Sequence, residues 1–146
     1  MRGLAAQILE RETAELPDAP DPADATTRVC ARLHPQFAQL VGSAGCDLLL
    51  ARAISVAISE CPRLHGVRWQ PGSAGGLENL RERLEGCPPG EARQACATLV
   101  AEFLALLCKF IGAEMTVRQV QRLWPELPAR ETGPELRREH RPEDAE

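Results

Sequence analysis

The sequence has no tyrosine, only three phenylalanines and two tryptophans in 146 residues. So small an aromatic stock argues against a strand-rich fold, because half-buried strands draw on aromatic and β-branched runs. The core must come from Leu, Ala, Val and Ile, and Leu and Ala favour helix. Lysine occurs once, at Lys109, against sixteen arginines, and the net charge is −4. That balance excludes a protein that coats nucleic acid without sequence preference. No two of the six cysteines are spaced Cys-x-x-Cys, so neither a zinc knuckle nor a thioredoxin motif is present. No glycine-rich loop runs on into Lys-Ser or Lys-Thr, which excludes a phosphate loop of that kind. The longest apolar stretch, Ala97 to Ile111, carries Glu102 and Lys109 and reads as a buried helix, not a membrane span. The first residues are charged by position 10 and have no apolar run of leader length. A cytoplasmic protein with reduced thiols is expected.

What is present is helical spacing. Apolar residues make up 44% of the chain, enough for one domain with a real core. Leu4, Ile8 and Leu9 mark a first helix, expected to attach loosely. The stretch Leu16 to Asp24, with three prolines and three aspartates, reads as a linker. Val29, Leu33, Phe37, Leu40 and Val41 form a helical stripe from about Ala25, interrupted at Pro35. Gly42 to Gly45 predicts a turn with Ser43 as the next cap. Cys46, Leu49, Leu50, Ala53, Ile54, Ala57 and Ile58 predict a third helix, ended by Pro62. Residues 63–76 read as an irregular loop that Trp69 anchors. Leu77 to Leu84 reads as a short helix. Ala92, Cys96, Leu99, Phe103, Leu106 and Phe110 keep a heptad spacing in the longest helix, and its apolar face is wide enough for a central bundle helix. Gly112 predicts its end, and Thr116 the cap of a last helix to Trp124. The expectation is an all-α single bundle of five to six helices over residues 25–127. The N-terminal helix and linker (1–24) would precede it, and a disordered charged tail (128–146) would follow.

Three patterns carry candidate chemistry. Cys30-Ala-Arg-Leu-His34 and Cys61-Pro-Arg-Leu-His65 repeat Cys-x-Arg-Leu-His, each followed by Gly-Ser-Ala-Gly. Cys30, His34, Cys61 and His65 could together make a Cys2His2 zinc site. His34 precedes Pro35 and Cys61 precedes Pro62, which pushes one member of each pair out of helical geometry. Second, Gly112-Ala-Glu-Met115 followed by TVRQVQRLW has the order of a helix-turn-helix, with Arg118, Gln119, Gln121 and Arg122 as base-reading types. Glu114 and Glu126 flank them. Third, thiol or Cys-His catalysis lacks an orienting third group and an oxyanion site.

Leu40, Val41, Gly42 and Gly45, leading into Leu49, Leu50, Arg52 and Ala53, form one further motif. Phe110, Ile111, Gly112, Met115, Thr116, Arg118, Trp124 and Pro125 form its second half. Together these segments resemble a group of small bacterial all-helical proteins. The resemblance spans roughly residues 28–127 and implies a fold and no activity; the Cys-His pairs are not part of its pattern. The reading that follows is a non-enzymatic interaction module, an adaptor or regulatory accessory of a bacterial system. No cofactor is expected, and the partner is another protein. Arg68, Trp69, Arg118, Arg122 and Trp124 are its candidate contacts, with core burial as the alternative for both tryptophans.

Overall fold

The computed structural model describes residues 1–15, 21–70 and 77–127. Among them are six α-helices: α1 (Arg2–Glu15), α2 (Pro22–Val41), α3 (Ser43–Glu60), α4 (Leu80–Leu84), α5 (Pro89–Ile111) and α6 (Ala113–Leu123). A 3₁₀ turn at Pro62–Leu64 and an antiparallel strand pair, β1 (Arg68–Trp69) and β2 (Leu77–Glu78), join α3 to α4. The fold is an all-α bundle around α5, which packs on α1, α2, α3 and α6. By length and composition α5 could cross a membrane, but half of its most apolar stretch lies in the core.

Asp21 explains where α2 begins. Its side chain accepts from the Ala23 amide at 2.8 Å, and Pro22 takes the first helical position, where no amide is needed. The helix therefore starts three residues before the expected Ala25. It also runs unbroken through Pro35. Pro35 and Ala31 both face outward, so the carbonyl that loses its amide partner lies on the solvent side. Burial of Val29, Cys30, Leu33 and Phe37 on the other side holds the helix across the gap.

The first helix is not loosely attached. Leu4, Ala5 and Ile8 lie in the same core as α5, and Arg2 donates to Thr98 Oγ1 at 2.7 Å while pairing with Glu60. The boundary expected at residue 25 does not separate α1 from the bundle.

The third helix buries its expected face, with Ile58 half-buried. In α5 the heptad stripe is buried through Phe103, half-buried at Leu106 and exposed at Phe110. Ala92 and Phe110 are five full turns apart and so share a side of the helix. Phe110 is exposed because it stands in the last turn, beside exposed Lys109. Leu40, in the last turn of α2, is exposed for the same reason, against expectation.

Single glycines make two of the interhelical turns. Gly42 joins α2 to α3, and Gly112 joins α5 to α6. Each donates its amide to a residue four back and accepts from a residue four ahead: Ala38 and Cys46 for Gly42, Cys108 and Thr116 for Gly112. Ser43 and Thr116 are therefore inside helices and cap neither. Thr116 Oγ1 instead donates back to the Gly112 carbonyl at 2.9 Å. The second Gly-Ser-Ala-Gly, most of the expected linker and the 128–146 tail lie outside the described residues.

Candidate functional site

The four proposed zinc ligands are dispersed. Cys30 is fully buried, in the electrostatic neighbourhood of Cys96 and Cys46. His34 faces Asp47, Cys61 lies near Thr98, and His65 is exposed. Among the described residues no group of three or more His, Cys, Asp or Glu side chains is placed to hold a metal ion. The repeat fails as a site because its copies fold differently: Cys30 and His34 sit within α2, whereas Cys61 and His65 flank the 3₁₀ turn.

His34 and Trp69 do meet, through a residue that sequence reasoning missed. Asp47 Oδ1 accepts from Trp69 Nε1 at 2.7 Å and lies 2.7 Å from His34 Nε2. The imidazole and indole stack with centroids 5.3 Å apart and an interplanar angle of 25°. With the carboxylate as acceptor, Nε2 carries the proton and Nδ1 is left over. This fixes the orientation of the imidazole. The Cys46 thiol donates to the His34 carbonyl at 3.7 Å, and burial pushes it up to about 12. Burial likewise lifts Cys30 to about 12 and Cys96 to about 11. These three are inert thiols at neutral pH.

The cluster instead clasps β1 against α2 and α3. Asp47→Ala is expected to lower stability by about 1–2 kcal/mol, since both half-buried donors lose their acceptor but keep some water. The check is a urea melt followed by tryptophan emission. An unchanged midpoint would mean that the clasp contributes nothing in solution.

Trp124 is a core residue, 1% exposed, and not a surface contact. Its Nε1 donates at 2.8 Å to Glu12 Oε2, and the Arg32 guanidinium lies 4.8 Å above its ring. Glu12 is itself fully buried and also accepts from Arg28 Nε at 3.0 Å and from Arg32. Arg32 reaches on to the Leu123 carbonyl at 2.8 Å. The network ties α1 and α2 to the end of α6. Its sequence signal was Glu12 standing four residues after Ile8, itself four after Leu4, on an apolar stripe.

The helix-turn-helix reading loses its turn. Only Gly112 separates α5 from α6, where that motif needs three to four residues. Gln119 is buried and paired with Gln36, and Arg118 pairs with Glu114 at 3.4 Å. Arg68 and Arg122 are exposed, as a contact role would require.

One feature had no sequence signal. The helix α1, the start of α2 and the α4–α5 connection bound an open cleft of about 870 Å³. Its walls are mainly apolar, with Leu9, Ala25, Leu84, Ala92 and Ala97 among the lining residues. Glu10, Glu85, Arg81 and Arg93 stand on its lining as charged groups. Arg81 is held between Asp21 and Asp24. Comparison with protein-family models, with curated proteins and with solved structures finds no match to this chain.

Proposed function

We propose that this chain is a non-catalytic helical interaction module that binds another protein. The observation that carries the reading is the cleft: an open, largely apolar surface between α1 and the α4–α5 connection. A cleft walled by helices is the setting in which partner helices dock. The burial of Cys30, Cys46 and Cys96, and a His34–Asp47 pair engaged with Trp69, support a non-enzymatic role.

The test fills the cleft. Ala6 and Ala14 line it from exposed positions on α1, so Ala6→Trp and Ala14→Trp narrow it without entering the core. The expected result is that wild-type protein retains a partner from lysate of its own organism and both variants lose it. The binding would then be re-measured with the purified pair. A partner held equally by wild type and variants would remove the cleft from the reading.

A further inference from the structure

We infer that the cleft takes the apolar face of a basic amphipathic helix of the partner; this rests on the interaction reading above. Two observations point to that occupant.

The first is the lining. Among the described lining residues Ala6 and Ala14 are exposed and Leu9 and Ala97 half-buried, so the reachable floor is made of small side chains and a leucine, with buried Ala25, Leu84 and Ala92 behind it. Small side chains let a second backbone come close, and the larger ones pack between its side chains. A helix inserts an apolar ridge of residues at i, i+3, i+4 and i+7, which suits a cleft open along one side.

The second is the charge on the lining. Glu10 and Glu85 have no ion-pair partner among the described residues. Arg81 is saturated by Asp21 and Asp24, so that triad keeps one negative charge. Arg93 is the one lining cation outside a salt bridge among the described residues. The local balance is negative, as is the whole chain at −4. On the described lining three carboxylates (Glu10, Asp21, Glu85) outnumber two guanidiniums (Arg81, Arg93), a net negative balance that favours Lys and Arg flanking an apolar ridge over an acidic helix or an anionic lipid.

The experiment uses the full chain and a fluorescein-labelled model helix of about five turns, with Leu at i, i+3, i+4 and i+7 and Lys elsewhere. A Leu/Glu helix of the same pattern and sodium laurate are the alternatives. The expected result is saturable binding of the Leu/Lys helix by anisotropy, and none of the Leu/Glu helix. Glu10→Lys with Glu85→Lys should weaken it about tenfold, which corresponds to about 1.4 kcal/mol. Ala14→Trp should abolish it with an unchanged far-ultraviolet spectrum, and Ala6→Trp serves if Ala14→Trp does not fold. Equal binding of the Leu/Glu helix, or binding indifferent to both tryptophan variants, would overturn the inference. So would laurate occupying the cleft in place of the peptide. Loss of a natural partner in Ala14→Trp, together with no Leu/Lys binding, would leave the interaction reading standing and remove the basic helix. Failure of both measurements would remove both.

Discussion

Replacing Glu12 with alanine is expected to destabilise the fold by about 3 kcal/mol, at the lower end of what removing one member of a buried charge pair costs. Glu12 is fully buried, and three donors converge on it: Trp124 Nε1, Arg28 Nε and Arg32 Nη1. Without the carboxylate the Trp124 indole N–H is left buried and unpaired, which alone costs about 1–3 kcal/mol. The two guanidiniums suffer less, because the Arg28 and Arg32 side chains are 48% and 35% exposed and can recover water. Glu12→Gln can keep an oxygen for Trp124 and Arg32 but loses the charge and turns an NH2 towards the Arg28 donor, which can recover water, so about 1–2 kcal/mol is expected. Urea melts of the three proteins give the comparison. Equal midpoints would mean that the network is not formed in solution.

The same network fixes a pH signature. Burial alone would push the Glu12 carboxyl up; the hydrogen bonds from Trp124, Arg28 and Arg32, with the Arg32 charge, outweigh it and hold it below the usual range. A carboxyl lowered in the folded state contributes stability that is fully present above its unfolded pKa, about 4.3. That contribution is lost as pH falls through the folded value. The gap between wild type and Glu12→Gln should therefore hold from neutrality down to about 4.3, narrow below it and be gone once the pH lies below the folded value. Glu102 runs the other way: burial, then the hydrogen bond and charge of Glu60, raise its carboxyl. Acid thus weakens the Glu12 contact and favours the protonated Glu102 beside Glu60, which makes the single-site variant necessary to separate them.

How much of this was legible in the sequence depends on the reach of the contacts. Periodicity alone located all the long helices, because burial of Leu33, Leu50 or Leu99 repeats within a turn or two of its neighbours. It failed at helix ends, where Phe110 and Leu40 continue a correct stripe past the side chains that would cover them. It also failed at the clusters. Trp124 and Glu12 are 112 residues apart, and His34 and Asp47 are 13 apart on different helices. No local pattern joins such pairs. His34 was singled out for a metal and Trp69 for a partner; Asp47, which brings the two together, drew no reading because no local pattern links it to either. The cleft was beyond reach altogether, since it depends on α1 packing on α5 while α4 is held against α2.

The turns were half legible, and they carry the second large effect. Gly42→Ala and Gly112→Ala are each expected to cost about 1–3 kcal/mol. Gly42 has φ 85° and ψ 153°, and Gly112 has φ 92° and ψ 149°, a backbone region that belongs almost entirely to glycine. A Cβ at either position would meet nothing within 4 Å, so the cost is conformational and not a clash. Gly3 and Gly90 separate these two explanations. Both lie in helices, both have open space around the missing Cβ, and neither has positive φ. Alanine there should stabilise by about 0.4–1 kcal/mol, by restricting the unfolded chain and favouring helix. Opposite signs at the two kinds of glycine, read from thermal or urea midpoints, would establish one-residue turns at Gly42 and Gly112. A neutral result at both turn glycines would mean that the chain can take longer connections there. Ser43 and Thr116 would then act as the helix caps that their types suggest, and α3 and α6 would begin later than the fold described above.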